Sequence, residues 1–371
     1  MSGLQTLGLA ALLATMLAGP ATSAGADFDP ATDVVLPEGF RIEQIAEVPN
    51  ARAMTWGDNG TLFVGTMAKG VVYAVTGLLR GEPVVRAIDE KLKMPTGVAF
   101  RDGALYVAER TRLIRYPDIE GRLDNPPEPE VLQDDLPGKG LHSWKYIAFG
   151  EDGKLYMTIG SPCNVCDTPD QGVIERMNPD GSDRQIIARG IRNSVGFDWH
   201  PRTGELWFSD NNRDRMGDDQ PPGELNRLAK EGAHFGFPFC HGKDVVEPQP
   251  EFAALGSCAD SMPPAQLLGP HVAPLGVHVY DGEMFPEEYR GQVFIAEHGS
   301  WDRSEKIGYR VTRVPLSADG TVAKGYEVFA SGWLEGEEVY GRPVALLPAP
   351  DGSLLLSDDQ RGVIYRISYT R

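Results

Sequence analysis

Residues 53–75, AMTWGDNGTLFVGTMAKGVVYAV, contain the pattern that decides the fold. A short apolar segment leads into a turn that ends at Gly60, a second apolar segment begins at Leu62, and a third begins at Val71. An Asn-Gly turn between two apolar segments is typical of a β-hairpin, because glycine tolerates the positive φ that a tight turn requires. The stretch is therefore predicted to form three consecutive strands.

The same three-segment pattern occurs six times along the chain. Each second segment begins two residues after a glycine, and these segments begin at Leu62, Leu105, Leu155, Leu206, Val293 and Leu354. Successive copies are 43 to 61 residues apart, except for one interval of 87. Repeats of this length built from consecutive hairpins are typical of a β-propeller in which each repeat is one blade. We therefore predict an all-β fold, a six-bladed β-propeller of four-stranded antiparallel blades over residues 27–371.

Two segments outside the repeats have predicted roles in this propeller. The extended segment Phe40 to Glu47 precedes the first copy, and we expect it to supply a strand to the last blade and close the ring. The long interval corresponds to an insertion at about residues 210–275 that is rich in glycine, proline and aspartate. A connection of this length inside a compact domain is more often part of a site than a spacer.

The N-terminus has the features of a secretory signal peptide. An apolar stretch from Leu4 to Gly19 is too short to span a bilayer and is followed by the small residues Ala24-Gly25-Ala26. We expect residues 1–26 to be removed, a mature chain that begins near Asp27, and a periplasmic or secreted protein. The alternative is an uncleaved membrane anchor, since no Lys or Arg precedes the apolar stretch. No later segment is apolar over enough residues to span a membrane.

The charge of the chain argues against one class of function. Its 371 residues include 35 Lys and Arg against 53 Asp and Glu, which gives a formal charge of −18. Proteins that bind nucleic acid neutralise phosphates with clustered cations, and this overall composition lacks them. We therefore expect no nucleic-acid partner.

Four cysteines fall in two local pairs, Cys163 with Cys166 and Cys240 with Cys258. In an exported protein an even, locally paired set indicates two disulfides that close short loops. A haem-attachment motif would require histidine after the second cysteine, where the chain has Asp167. A zinc site would require four free thiolates, which an oxidising compartment disfavours.

The residues at the starts of the blades are expected to line the central channel. They include His142, Trp144 and Lys145 before the third blade, Arg192 and Asn193 before the fourth, and Arg342 before the sixth. Cations that converge on a channel in a protein of charge −18 favour an anionic ligand. A single arginine at such a position is more often part of an ion pair, but two arginines and a histidine at equivalent positions favour a binding site.

Nine motifs extend this pattern along the chain. They are His142-Ser-Trp-Lys145, Ile159-Gly-Ser-Pro-Cys-Asn-Val-Cys166, Gly190-Ile-Arg-Asn193, Asp210-Asn-Asn-Arg-Asp214, Gly217-Asp-Asp219, Glu224-Leu-Asn226, Phe235-Gly-Phe-Pro-Phe-Cys-His-Gly242, His298-Gly-Ser-Trp301 and Gly341-Arg-Pro-Val344. With them, residues 36–371 resemble the soluble dehydrogenases of aldoses and sorbosone that depend on pyrroloquinoline quinone (PQQ). The paired cysteines make the chain more similar to the sorbosone dehydrogenases than to the glucose dehydrogenases. The resemblance implies a propeller enzyme that oxidises an aldose, sorbosone or a related sugar, aldehyde or alcohol at C1.

The resemblance also implies two cofactors, PQQ and Ca²⁺, and roles for several residues. His142 aligns with the general base that takes the proton of the substrate hydroxyl while hydride passes to the quinone. The residues aligned with quinone contacts are Arg192, Asn193 and Arg342 and, by a looser alignment, Lys145, Arg303 and Lys306. The residues aligned with the calcium site are Asn212 and Arg213, through their backbone carbonyls, with Asp219 and Glu224 as further oxygen donors. Oxygen ligands are what Ca²⁺ prefers.

The chain departs from the family pattern at several positions. Ser161 stands where the glucose dehydrogenases have an aspartate that orients the catalytic histidine, so we expect other groups to support His142. Residues 92–96 contain no counterpart of a cofactor-binding glutamine in the second blade. Tyr340 replaces the first arginine of a pair in the sixth blade, and the family's cofactor lysine aligns only near Lys306.

The partners implied by the resemblance are a small sugar or aldehyde substrate and a separate electron acceptor, which is a quinone or a cytochrome. The expected oligomeric state is a monomer or a homodimer. Two other classes of function share the architecture. A calcium-dependent lactonase would use Glu, Asn and Asp side chains as metal ligands in the channel, and a non-catalytic sugar-binding propeller would lack the base. The set of His142, Arg192 and Arg342 favours the dehydrogenase, because only that function uses all three.

Overall fold

The computed structural model describes residues 28–370. The signal segment proposed for residues 1–26 lies outside this range and stays a prediction. Within residues 28–370, no helix is both long and apolar enough to cross a membrane.

Six antiparallel sheets form the six-bladed propeller that the repeats predict. Blade 1 consists of strands Ala51–Trp56, Leu62–Thr66, Val72–Thr76 and Val84–Asp89, and blade 2 of Gly97–Arg101, Ala104–Ala108, Leu113–Tyr116 and Glu130–Gln133. Blade 3 consists of Ile147–Phe149, Leu155–Ile159, Val173–Met177 and Gln185–Arg189, and blade 4 of Phe197–Trp199, Leu206–Asp210, Pro222–Leu228 and Gln266–Pro270. Blade 5 consists of Pro274–Val279, Val293–Glu297, Arg310–Val314 and Glu327–Ala330, and blade 6 of Pro343–Pro348, Leu354–Asp358, Val363–Tyr369 and Phe40–Glu47. Five second strands begin at the predicted residue, and that of blade 2 begins one residue early, at Ala104.

The ring closes through the strand nearest the N-terminus. Strand Phe40–Glu47 pairs antiparallel with Val363–Tyr369, with Phe40 opposite Tyr369 and Glu47 opposite Val363. The first described strand therefore completes the last blade, as the sequence predicted. This pairing joins the first and last strands of the described range within one blade by backbone hydrogen bonds, which closes the ring.

The insertion of blade 4 adds small elements around one rim. Strand Ala233–His234 pairs parallel with Gln185–Arg189 and makes blade 3 five-stranded.

The other elements of residues 28–370 are short and lie both inside and outside the insertion. They are the two-residue strands Cys240–His241, Val245–Val246, Leu334–Glu335 and Glu338–Val339, the α-helices Pro30–Asp33 and Pro250–Ala253, and the 3-10 helices Leu78–Arg80, Ile119–Arg122, Cys258–Asp260 and Glu287–Tyr289.

The core lies between adjacent blades. The second strands are buried along their whole length, as in Leu62–Thr66 and Leu354–Asp358, because both faces of each sheet pack on a neighbouring blade. Around the channel the backbones approach so closely that several positions require glycine, among them Gly97 and Gly196. A Cβ at Gly97 would lie 2.8 Å from the carbonyl oxygen of Lys145, and one at Gly196 would lie 2.5 Å from that of Leu275.

Both predicted disulfides are confirmed. Cys163 is bonded to Cys166, and Cys240 is bonded to Cys258. The first bridge closes a turn of the loop that follows strand Leu155–Ile159, and the second anchors the insertion to itself across 18 residues.

Candidate active site

A cavity of about 350 Å³ lies where the first strands of the blades begin and the second strands end. Blades 1, 3, 4, 5 and 6 supply lining residues, whereas within residues 28–370 blade 2 supplies none. The polar and aromatic lining residues are Arg52, His142, Trp144, Arg192, Asn193, Asn211, Asn212, Arg213, Asp214, His271, His298, Trp301, Arg342 and Asp359. The structure thus brings together His142, the two predicted arginines, Asn193 and the segment that contains Asn212 and Arg213.

Positive charge predominates in this cavity. The lining arginines are Arg52, Arg192, Arg213 and Arg342, and the lining carboxylates are Asp214 and Asp359. This local excess of cations opposes the charge of the whole chain, which is −18. The cavity is therefore suited electrostatically to an anion.

His142 has a tautomer fixed by its surroundings. Its Nδ1 lies 2.7 Å from the backbone carbonyl oxygen of Ser161, which can only accept a hydrogen bond. Nδ1 therefore carries the proton, and Nε2 has the free lone pair. Burial and then the charge of Arg192 lower the pKa of His142 to about 3, so the ring is neutral at physiological pH. His142 can thus accept a proton at Nε2.

Two buried polar atoms beside His142 have no hydrogen-bond partner within residues 28–370. They are the indole Nε1 of Trp144 and the amide Oδ1 of Asn193. The rings of Trp144 and His142 meet edge to face, with centroids 5.6 Å apart. An unpartnered buried donor or acceptor is costly, and both residues line the cavity. A polar ligand in the cavity could satisfy both atoms.

Arg192 connects the loops that form one wall of the cavity by hydrogen bonds. Its five N–H donors contact the backbone and side-chain oxygens of Asn164, the carbonyls of Asn211 and Asn212, and the carboxylate of Asp214, at 2.7 to 3.1 Å. The residue is only 2% exposed. Its guanidinium adds positive charge to the cavity, while its hydrogen bonds are used by the loops that form the wall.

A second histidine lies on the wall that blades 5, 6 and 1 form. His298 Nε2 lies 2.8 Å from Oδ1 of Asp359, whose Oδ2 forms an ion pair with Arg52 at 2.6 Å. Arg342 donates from Nε to the backbone carbonyl of His298 at 3.0 Å and lies over the ring of Tyr309. The Nη1 atom of Arg342 has no hydrogen bond to the described part of the chain, which leaves it available to a ligand.

Two buried carboxylates support the wall from behind without lining the cavity. Glu224 accepts a hydrogen bond from the amide of Asn212 at 2.7 Å, and Asp210 accepts the backbone N–H groups of Arg192 and Asn193 at 3.0 and 2.7 Å. Burial raises the pKa of Glu224 to about 7, and burial together with the nearby Glu224 raises the pKa of Asp210. Their role in the structure is to position the lining segments.

The insertion is joined to the cavity through Arg213. Its guanidinium forms a buried ion pair with Glu247, whose other carboxylate oxygen lies 2.8 Å from Nε2 of His241. His241 follows Cys240, one end of the second disulfide. Residues 211–214 and 271–275 of the inserted region line the cavity, so the region contributes directly to the site.

Lys145 lies outside the cavity, contrary to the quinone contact expected for it. It is 1% exposed, and its ammonium group donates to the backbone carbonyls of Arg110, Pro137 and Ser143 at 2.7 to 3.2 Å. All three ammonium protons therefore have partners. The geometry gives Lys145 a structural role between blades 2 and 3.

The other four predicted residues outside the cavity are Arg303, Lys306, Asp219 and Glu224. Arg303 contacts the carbonyl of Asp218 and, at 3.6 Å, the carboxylate of Asp219, whose side chain is 91% exposed. Lys306 pairs with Glu337 at the surface. These three lie in rim loops, and Glu224 lies behind Asn212, so none of the four is placed to contact a ligand in the cavity directly.

Several lining residues escaped the sequence reasoning although the repeats mark their positions. In four blades the residue directly after the second strand lines the cavity, and these residues are Met67, Asn211, His298 and Asp359. Apart from Asn212 and Arg213, which came from the family resemblance, the predicted lining residues were taken from the starts of the first strands. Since a hairpin returns the chain to the same rim, residues at the ends of the second strands are equally expected to line the cavity.

A cluster at the rim was also missed. The side-chain ligand atoms of Asp214, His271 and Asp302 lie within 4.8 Å of one another, a spacing that could hold a cation. Trp301, next to Asp302, lines the cavity although the residue is 68% exposed. These contacts join three separate loops, which local sequence patterns do not reveal.

Comparison with known proteins agrees with this architecture. Residues 175–370 match the model of the TrAA12-like family. A relative from Borreliella burgdorferi, an uncharacterized protein, is 33% identical over 353 residues, which is 91% of each chain. The holo form of the PQQ domain of pyranose dehydrogenase from Coprinopsis cinerea has a TM-score of 0.76 at 18% identity, over 92% of this chain and 98% of that one. The calcium structure of the Trichoderma reesei member of carbohydrate-active enzyme family AA12 has a TM-score of 0.74 at 19% identity, over 94% and 100%.

Proposed function

Because this chain belongs to the TrAA12-like family, we propose that it is a sugar oxidoreductase that uses PQQ and oxidises an aldose, sorbosone or a related sugar, aldehyde or alcohol at C1. The observation that carries the proposal is the cavity itself. It places a neutral histidine with a free Nε2 lone pair among four arginines in an otherwise acidic protein. The likeness to the pyranose dehydrogenase domain supports the choice of quinone and of substrate class.

The lining residues fit a planar, anionic quinone. Arg52 and Arg342 offer positive charge on one wall, and the unpartnered Nε1 of Trp144 and Oδ1 of Asn193 offer one donor and one acceptor on the other. Arg192 contributes its charge but keeps its hydrogen bonds to the wall. When bound, PQQ supplies the hydride acceptor, and the residues around it bind and orient it.

His142 is the proposed general base. Its Nδ1–H is fixed on the carbonyl of Ser161, so Nε2 is the atom that receives the proton of the substrate hydroxyl. Burial and the charge of Arg192 make it a weak base, with a pKa of about 3. An anion that offsets the charge of Arg192 raises this pKa, so the base becomes stronger when the cofactor is in place.

Calcium is proposed at the segment Asn211 to Asp214. The backbone carbonyls of Asn212 and Arg213 are the oxygen donors proposed for it, because both residues line the cavity wall and Ca²⁺ prefers oxygen ligands. The exposed Asp219 and the enclosed Glu224 are not placed to contribute ligands directly. The calcium-bound Trichoderma structure supports the presence of the metal in this fold.

The lactonase alternative has less support from the cavity. That reaction would need side-chain oxygens free to hold a metal in the channel, but Asp214 pairs with Arg192 at 2.8 Å and Asp359 pairs with Arg52 at 2.6 Å.

The proposal has four further parts. They are a sorbosone-type substrate, export to the periplasm or beyond, a separate electron acceptor that is a quinone or a cytochrome, and a monomeric or homodimeric state.

The proposal is tested by loading the protein with PQQ and Ca²⁺. We expect saturable binding by calorimetry, dependent on calcium, and dye-linked oxidation of at least one aldose or related alcohol. His142→Gln serves as the matched control, since it should bind PQQ and fail to turn over. Absence of PQQ binding in the wild-type protein would refute the dehydrogenase and leave the sugar-binding propeller.

A further inference from the structure

His298 is the one imidazole of the described cavity that is supported by a carboxylate. Its Nε2 lies 2.8 Å from Asp359, and Asp359 is held in turn by Arg52 at 2.6 Å. The carboxylate can only accept, so Nε2 carries the proton and Nδ1 carries the lone pair. Within residues 28–370, Nδ1 takes part in no hydrogen bond. His298 is therefore a tautomer-fixed imidazole whose remaining nitrogen is free to bind a proton.

The charges around His298 set its protonation state. Asp359 faces it from blade 6, Arg342 from the start of the same blade and Arg52 from blade 1. Burial, opposed by Asp359 and assisted by the two arginines, lowers the pKa of His298 to about 4. Asp359 stays ionised, because its contacts with His298 and then with Arg52 outweigh the cost of its burial and lower its pKa. The pair is thus a neutral imidazole beside an anion.

An anionic ligand changes this balance. Its carboxylates would lie near Arg342 and Arg52 and offset the positive charge that disfavours an imidazolium at His298. The existing contact with Asp359 then stabilises the protonated ring as an ion pair. His142 lacks this support, since its partner at Nδ1 is a neutral carbonyl.

We propose that His298 takes up a proton at Nδ1 when a polycarboxylate fills the cavity, and that it then donates this proton in a hydrogen bond to a carboxylate of the ligand. The proton comes from solvent, and no bond of the ligand breaks. His298 is thereby a binding residue whose charge follows occupancy of the cavity. The inference rests on the proposed function only in taking PQQ as the natural polycarboxylate.

Linkage fixes the sign of the pH dependence. Since the ligand-bound form holds a proton that the free form lacks, the affinity for the ligand falls as pH rises. The decrease is up to about tenfold per pH unit between the pKa values of His298 in the free and bound states. Deprotonation of the ligand does not interfere near neutral pH if the probe is a fully ionised polycarboxylate.

The test is calorimetric titration of the full chain with PQQ and Ca²⁺, in pairs of buffers with different ionisation enthalpies. We expect the wild-type protein to take up a proton on binding, with the uptake approaching about one per ligand between pH 8 and pH 6. His298→Gln should lose most of this uptake, and Asp359→Asn should reduce it although His298 is present. His142→Gln, the matched control, should retain it. Thermal unfolding of each variant verifies that it is folded.

A second probe, benzene-1,3,5-tricarboxylate, separates this inference from the proposed function. If PQQ fails to bind but the tricarboxylate binds with uptake that depends on His298, the function is wrong and the inference stands. If either ligand binds without proton uptake, if His298→Gln leaves the uptake unchanged, or if only His142→Gln abolishes it, the inference is overturned. Failure of both ligands to bind also overturns it, because the cavity is then not an anion site.

Discussion

The backbone carbonyl of Ser161 accepts a hydrogen bond from Nδ1 of His142 at 2.7 Å. The side chain of Ser161 faces elsewhere, with Oγ 3.2 Å from both the carbonyl of Cys163 and Sγ of Cys166. The support expected for His142 from another group therefore comes from the same residue, through its backbone. A carbonyl fixes the tautomer as a carboxylate would, but without a charge to stabilise an imidazolium.

This geometry predicts that Ser161→Ala is nearly silent in catalysis. The substitution removes a hydroxyl that contacts the disulfide loop and leaves the carbonyl in place. Turnover of the loaded enzyme should stay within about threefold of wild type, while unfolding free energy falls by about 1 kcal/mol for the lost hydrogen bond. By comparison, His142→Gln should lower turnover by about 10²- to 10⁴-fold, with PQQ affinity almost unchanged. Equal losses of turnover in the two variants would contradict the assignment.

Arg192 and Arg342 are predicted to differ, although the sequence treats them as equivalent. Arg192→Ala leaves four backbone or amide oxygens and the carboxylate of Asp214 without their donor, so it should lower unfolding free energy by about 3 to 5 kcal/mol. Arg342→Ala removes two hydrogen bonds at the cavity edge, and it should lower PQQ affinity roughly ten- to a hundredfold with a smaller loss of stability. Urea denaturation and PQQ titration of both variants measure the two quantities. Similar profiles for the pair would mean that Arg192 contacts the ligand as Arg342 does.

The fold was predictable from the sequence because its information is local. A glycine two residues before an apolar segment marks each hairpin, and six such hairpins, most of them 43 to 61 residues apart, indicate blades whatever the other contacts of their side chains. Strand Phe40–Glu47 and both disulfides followed from the same reasoning, since an unpaired extended segment and two close cysteine pairs each allow few partners.

The site was predictable only in part. His142 and Trp144 line the cavity, whereas Ser143 and Lys145 do not, which is the alternation of an extended backbone. That alternation was available in the sequence and would have removed Lys145 from the quinone contacts. The hydrogen bonds of Arg192 to Asn164 and Asp214 were not available, because they join loops of different blades. The sequence indicated an arginine at the channel but not that its donors are already occupied.

Acid sensitivity is predicted from His241 in the insertion. Burial lowers its pKa to about 4, although Glu247 opposes the shift, so the folded state keeps this ring neutral while the unfolded chain, with a pKa near 6.5, binds a proton. The unfolded state thus holds more protons between pH 6.5 and pH 4, and stability falls as pH decreases through this range. His241→Gln, which can still donate to Glu247, should lose about 2 kcal/mol less than wild type between pH 7 and pH 4.5.

Urea denaturation at the two pH values measures this difference. The comparison at pH 7 is the internal control, because the ring of His241 is neutral there in the folded state and mostly neutral in the unfolded chain. The effect of the substitution itself is thereby separated from its effect on the pH dependence. An unchanged slope in His241→Gln would show that folding does not shift the pKa of this ring and would contradict the prediction.

The last prediction concerns Trp301, a residue that is 68% exposed yet lines the cavity. An exposed aromatic face at the mouth offers a surface for the apolar face of a sugar ring, while its removal disturbs little of the core. Trp301→Ala should therefore raise the KM for the sugar about three- to tenfold, with unfolding free energy within about 0.5 kcal/mol of wild type. Trp301→Phe should retain most of the affinity, because it keeps an aromatic face. Steady-state kinetics with saturating PQQ and calcium measure the KM and the turnover of each variant. A fall in turnover at unchanged KM would contradict the prediction and place Trp301 in the chemical step.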